Sequence, residues 1–249
     1  LSDAHGEMQR SRFAEATGEK AWPNVRPKDA ATLVIVDRSG KQPKVLMGKR
    51  HHALKFMAGK FVFPGGRIEP GDRHMPAAGE LDPDVARALE SKTVGGAARR
   101  GRALAMTAIR ETFEETGLML GRPADAMPGA VRQGPWASFF ERRLLPDLSA
   151  FTLIGRAITP PGRRRRFDTR FFAVDRTAIG AEVEGVTGPE AELVELVWVD
   201  LPEARQLDLP GITTVMLDEL EHRIAAGFGH ALPVPFYRVT RQGPARELL

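Results

Sequence analysis

Apolar positions along the chain fall into two rhythms, one extended and one helical. Residues 32–36, Thr-Leu-Val-Ile-Val, form a continuous β-branched run, the pattern of a strand buried on both faces. Ser39-Gly40 supplies a turn, and residues 44–48 return as the partner strand. Residues 61–63 make a short strand that leads into a glycine turn, and further strands are predicted over 151–158, 169–174 and 193–199. The helical rhythm is clearest before Gly117. At 100° per residue, Ala105, Met106, Ile109 and Phe113 share one face, while Glu111, Glu114 and Glu115 fall within a narrow arc on the other. Gly117 has the position of a left-handed C-cap, and Pro123 confirms the break. A second helix is predicted over 136–145, with Trp136, Phe139, Phe140 and Leu144 on one side, and a third over 212–226 closes the core before a proline-rich tail. Residues 1–28 are polar, with one helical turn near 12–16, and no internal repeat is present. Antiparallel-type strands with late helices predict an α+β sandwich. Residues 1–28 are expected to form an extension and 29–249 a single domain.

The acidic arc changes the picture from fold to chemistry. Like charges at i,i+4 cost roughly 0.2–0.5 kcal/mol per pair, so the helix gains nothing from the arrangement alone. A divalent cation would turn that repulsion into coordination. Mg²⁺ (or Mn²⁺) fits, since it takes carboxylate oxygens and keeps waters for a phosphate substrate. A solvated acidic face is the other reading of the helix by itself. Upstream, Phe63-Pro64-Gly65-Gly66-Arg67-Ile68-Glu69-Pro70-Gly71-Asp72 packs glycines and prolines into a turn where backbone can approach a ligand closely.

Together the two segments resemble the Nudix box, G-x5-E-x7-R-E-U-x-E-E-x-G-U, in which U is a bulky apolar residue. Gly66 fits the box glycine, Asp72 stands where the first glutamate belongs, and residues 110–118 supply the rest, with Thr112 at a U position. Between Asp72 and Arg110 lie 37 residues where the common box has seven. The extra stretch, about 74–102, is polar, rich in Gly and Ala, and carries a short helix-like piece at 83–89. It reads as an insertion looped out of the turn, tolerable because closure entropy grows only logarithmically with length. An interrupted box of this kind is similar to one branch of the family, the coenzyme A diphosphatases. The resemblance implies an α/β/α sandwich with a mixed sheet. It also implies a loop–helix unit that holds Mg²⁺ against a diphosphate through Glu111, Glu114 and Glu115, with a carbonyl of Gly65 or Gly66.

A second match bears on the substrate. Arg50, Gly59 and Phe63-Pro64-Gly65-Gly66 agree in identity and spacing with the motif L-L-T-x-R-S-x3-R-x3-G-x3-F-P-G-G of coenzyme A-cleaving Nudix enzymes. Gly48, His51 and Lys55 depart from it, the last keeping charge but losing the planar fork of arginine. Arg50, Lys55 and Phe63 are therefore candidate substrate contacts. Gly162-Arg163-Arg164-Arg165-Arg166-Phe167 is the densest basic run, and four adjacent arginines in an extended chain would send two toward a site and two toward solvent. Arg164 and Arg165 are candidates for the 3′-phosphate of coenzyme A. A solvated loop and a nucleic-acid patch are the other readings of the run, and nucleic acid is not expected, since aromatic interleaving stops at Phe167, Phe171 and Phe172.

These residues allow metal-assisted attack of water on a diphosphate, with Glu111, Glu114 and Glu115 catalytic through the metal and Arg110 orienting a carboxylate. The general base is left open among Glu182, Glu184, Glu190 and Glu192 or a box glutamate. Coenzyme A or its acyl form is the expected substrate. ADP-ribose or another nucleoside diphosphate derivative, and a non-catalytic ligand-binding regulator, are the alternatives. The net charge of +4 suits a phosphorylated ligand without demanding nucleic acid. No cysteine is present, which removes disulfides, thiolate catalysis and cysteine-based zinc sites. No apolar run reaches membrane-spanning length, and residues 1–7 lack the regions of a secretory leader, so a cytoplasmic protein is expected. A homodimer is compatible with this reading. The chain starts with Leu, and Met8 is expected as the natural start. His51, His52, His74, His222 and His230 do not fall at metal-ligand spacing with each other and are expected at the surface.

Overall fold

The computed structural model describes residues 2–17, 22–93, 97–127, 129, 134–230 and 232–249. A helix, α1 (Ser2–Ala16), precedes the sheet. The β-branched run forms β1 (Lys28–Asp37), followed by β2 (Lys44–Arg50). β1 divides its side chains between two cores: Ala31, Leu33 and Ile35 enter one, Val34 and Val36 the other. The same division runs through β2, with Leu46 on the first side and Val45 and Met47 on the second. Strands that are apolar on both faces belong between two layers.

β3 (Phe61–Val62) pairs with β2, and β4 (Gly65–Arg67) folds back antiparallel onto β1, with Ala31 opposite Gly66 and Thr32 opposite Gly65. A Cβ at position 65 would lie 2.4 Å from the Ala31 carbonyl oxygen, so glycine is what lets this strand close. A short 3₁₀ turn (Pro70–Arg73), α2 (Pro83–Glu90) and α3 (Ala97–Thr116) follow. Next come β5 (Leu118–Leu120), β6 (Arg122–Pro123), α4 (Pro135–Glu141) and β7 (Leu144–Leu145). β8 (Thr152–Ile158) pairs antiparallel with β9 (Phe167–Asp175), and β9 lies parallel to β1. β10 (Ile179–Glu182) pairs with β5, and β11 (Leu193–Asp200) runs antiparallel to β2. α5 (Leu201–Ala204), α6 (Gly211–Ala225), β12 (Pro235–Thr240) and β13 (Gly243–Leu248) complete the order.

The principal sheet runs β11-β2-β1-β9-β8-β12-β13 and mixes parallel and antiparallel pairs. Residues of α2, α3 and α4 fill the first core, including Val85, Leu104, Ile109 and Phe139. Residues of α1, α5 and α6 fill the second, including Phe13, Leu201, Val215 and Leu217. The architecture is the α/β/α sandwich with a mixed sheet that the resemblance implied.

Four local expectations are corrected. The N-terminal segment holds a 15-residue helix where one turn was expected. Its inward face sets a single buried aromatic, Phe13, among polar groups, with Gln9 donating to Asp218 (3.3 Å) and Arg12 pairing with the same carboxylate, so no apolar rhythm announces it. Helix α4 stops at Glu141, because Arg143 takes φ +52° and Leu144-Leu145 pair with β6. The proline-rich tail is a hairpin. Pro235 opens β12, and Pro244 sits on β13, the last strand of the sheet, where a missing N–H is tolerated. The stretch between the box halves is packed and not looped out, since Met75, Val85 and Leu89 are buried in the first core. Arg102 grips Glu80 through two nitrogens, and Arg156 binds the carbonyls of Ser91 and Lys92. Residues 97–102 belong to α3 itself, and residues 94–96 lie outside the described residues.

Candidate active site

Asp72 joins the two halves of the interrupted box. It is fully buried and accepts hydrogen bonds from Arg110 Nε (2.9 Å), Thr107 Oγ1 (2.9 Å), Trp136 Nε1 (3.3 Å) and its own turn's Glu69 N–H (2.9 Å). Arg110, also buried, donates onward to the Arg67 carbonyl (2.8 Å) and to Glu114 (2.5 Å), and lies 3.0 Å from Glu111. Burial alone would lower its pKa, but the Asp72 hydrogen bonds and the Glu111 charge outweigh this and hold the guanidinium protonated. Arg110 is absent from the cavity wall, so the geometry makes it a group that positions carboxylates and the turn. Thr112 is buried at its apolar box position because its hydroxyl is satisfied by the Ala108 carbonyl one turn back (2.7 Å).

The acidic arc divides. Glu111 and Glu115 face a cavity of about 750 Å³, while Glu114 turns to Arg110 and does not line it. Glu115 is almost wholly buried and accepts from the Gly65 N–H (3.1 Å). Burial first, then the neighbouring charges of Glu192 and Glu111, push its pKa well above the usual carboxylate range; the Gly65 N–H and Arg50 only partly oppose this. Burial likewise raises Glu111, against the pull of Arg110. The Gly65–Gly66 turn lies against these carboxylates, and a Cβ at position 66 would sit 2.2 Å from Glu111 Oε1. Two crowded carboxylates, disfavoured as anions and set beside a bare backbone turn, are a donor set and an electrostatic setting suited to Mg²⁺ or Mn²⁺. Gly66→Ala is expected to displace the Glu111 carboxylate and lower kcat/KM on the order of ten- to a hundredfold. Far-UV circular dichroism should stay unchanged, and steady-state kinetics checks the loss.

Other candidates meet on the same cavity. Arg50, Lys55 and Phe63 line it, and Arg50 is held by the Phe56 carbonyl (3.2 Å) and by Glu192 (2.8 Å). The arginine run is a bend and not a strand, so two-and-two alternation fails. Arg163, Arg164 and Arg165 all reach the cavity, whereas Arg166 turns back to the carbonyls of Thr159 (2.9 Å) and Val25 (2.8 Å). Arg164 lies over Trp22 (5.7 Å to the ring centroid) and Arg165 over Phe56 (5.8 Å). Of the four loop glutamates, only Glu192 lines the cavity. The signal for it was strand register, since the next residue, Leu193, pairs with Arg50. Trp22 was missed because it lies in the polar N-terminal stretch, outside any motif or periodic element.

No family profile matches the chain. The acyl-coenzyme A diphosphatase NUDT19 of Gallus gallus is 28% identical over 210 residues, 65% of this chain and 55% of that protein. The chain thus spans about half the length of this curated relative. A solved structure of a Nudix hydrolase from Alicyclobacillus acidocaldarius superposes with a TM-score of 0.56 at 27% identity, covering 81% of this chain and 96% of that one. With the box halves joined through Asp72 and Arg110, the chain is similar to Nudix hydrolases in sequence and shares their fold. Among such proteins it resembles an acyl-coenzyme A diphosphatase.

Proposed function

We propose that the chain is a Mg²⁺-dependent hydrolase of the diphosphate in coenzyme A or acyl-coenzyme A, releasing 3′,5′-adenosine diphosphate and 4′-phosphopantetheine or its acyl form. One observation carries this reading: Glu111, Glu115 and the Gly65–Gly66 turn share a cavity with Arg50, Lys55 and Arg163–Arg165. The acidic group suits a cation, and the basic groups suit a ligand with more phosphate than one diphosphate. The similarity to an acyl-coenzyme A diphosphatase supports the same substrate class.

Glu111, Glu115 and a carbonyl of the glycine turn would hold the metal, which when bound lowers the pKa of a water and offsets charge on the leaving phosphate. Arg50 and Lys55 attract the diphosphate, and the guanidinium of Arg50 is aimed by Phe56 and Glu192. Glu192, near Glu115 and on the cavity wall, is positioned to accept the proton of the attacking water. Trp22 and Phe56 offer aromatic faces, each with an arginine above, for the adenine or the pantetheine arm.

Incubation with Mg²⁺ and coenzyme A, acetyl-coenzyme A, ADP-ribose and a dinucleotide, with products identified by mass spectrometry, tests the reading. Phosphopantetheine is the expected product. Cleavage of ADP-ribose with coenzyme A left intact would overturn the assignment. Coenzyme A should also be preferred to dephospho-coenzyme A. A charge-assisted phosphate contact contributes roughly 1.5–3 kcal/mol, or about ten- to a hundredfold in kcat/KM. Changing Arg164 and Arg165 together to alanine should shrink that preference. Both side chains are exposed, so the preference should also fall as salt rises.

A further inference from the structure

A second cluster of metal-ligating side chains lies away from the catalytic cavity, where α1 crosses α6. His5, Glu219 and His222 bring one ligand atom each within 4.8 Å of one another. Glu219 and His222 are three positions apart on α6 and so present to the same side of that helix. His5 comes from α1, with its Nε2 3.2 Å from Glu219 Oε2 and its ring centroid 4.4 Å from that of His222. The two rings are tilted by 48° and not stacked face to face, so their nitrogens can converge.

The carboxylate between them is fixed from behind. Tyr237 donates its hydroxyl hydrogen to Glu219 Oε1, and Arg246 Nε donates to the same oxygen (3.1 Å). Oε2 is thereby left facing His5. A ligand carboxylate oriented by hydrogen bonds to its other oxygen is the usual outer support of a metal centre. Bonds of about 2.0–2.1 Å to a tetrahedral zinc place neighbouring ligand atoms about 3.3 Å apart, close to the His5–Glu219 separation. Gly6 permits the approach of α1, since a Cβ there would lie 3.1 Å from an Arg246 nitrogen. Glu219 is buried, while His5 and His222 keep partial exposure, which leaves a path for an ion and a fourth position for water.

We propose that, in the chain with residues 1–7 present, His5, Glu219 and His222 bind a zinc-class dication that clasps α1 to α6. Two imidazoles and one carboxylate suit Zn²⁺ far better than Mg²⁺, which takes oxygen ligands. The site is separate from the diphosphate chemistry and does not depend on the proposed substrate. It bears on the cavity all the same, because Phe13 and Ala16, further along α1, line that wall.

The full chain, held in excess Mg²⁺, is titrated with Zn²⁺ by calorimetry and with Co²⁺ by visible absorption. One equivalent should bind, with a Co²⁺ spectrum of nitrogen ligation. Glu115→Gln should leave this binding in place. His5→Asn and His222→Asn should each weaken it by at least about tenfold, the least that disturbance of a metal's supporting shell costs. Hydrogen exchange of α1 should slow on adding Zn²⁺ to the wild type and stay unchanged in His222→Asn. Affinity unchanged from the wild type in both histidine variants, or a wild-type Co²⁺ spectrum without nitrogen ligation, would overturn the proposal. The cluster would then be an ion pair with a neighbouring imidazole. The wild-type spectrum decides the matter even if a variant fails to fold.

Discussion

Glu115→Gln is expected to lower kcat by about 10²-fold or more, the usual effect of removing one interaction that stabilises the transition state. The substitution keeps the shape of the side chain, and its amide can still accept from the Gly65 N–H that now holds Glu115. It removes the charge that the proposed cation requires. Because burial and two nearby carboxylates already disfavour the anion, the neutral variant should fold at least as stably as the wild type. Thermal denaturation and single-turnover kinetics on one preparation test both halves. Near-full activity in this variant would remove Glu115 from the mechanism.

Asp72→Ala is expected to have the opposite profile, a loss of stability first and of activity in consequence. Asp72 is fully buried, and its removal strands the Arg110 guanidinium, the Thr107 hydroxyl and the Trp136 N–H. Breaking a buried ion pair from one side costs about 3–5 kcal/mol. In a domain of this size that corresponds to a fall in Tm of roughly 10 °C. Thermal unfolding followed by circular dichroism measures it, and a change below about 1 kcal/mol would mean that Arg110 finds solvent once released. Asp72→Asn, which keeps an acceptor, should fall between the two.

These two residues also mark where sequence reading succeeded and where it stopped. The approach of Glu111 and Glu115 to the glycine turn, and β1, β2, β3, β8, β9 and β11 of the central sheet, were legible, because each is carried by local periodicity or a short motif. Glu114 sits in the same arc as its neighbours, and only the reach of Arg110 across the helix turns it aside. The direction of Arg163–Arg165 depends on a bend that periodicity cannot report. Helix α1 was invisible for a related reason. Its contacts with α6 are made by Gln9 and Arg12 to Asp218 and by His5 to Glu219, pairs separated by more than 200 positions in the chain. Glu192 and Trp22 share that difficulty, as wall residues whose importance comes from strand register and chain return.

The interruption of the box bears on how the molecule folds. Closing a loop of 37 residues in place of seven costs about 1.5 kcal/mol more chain entropy. Burying side chains such as Val85 and Leu89 offsets this, at about 1.5–3 kcal/mol each. The glycine turn and the acidic helix are therefore less favoured as a local nucleus than they would be across seven residues. Their meeting is expected to follow the packing of α2 against α3. During refolding, recovery of hydrolysis should keep pace with the slowest step of core formation and not run ahead of it.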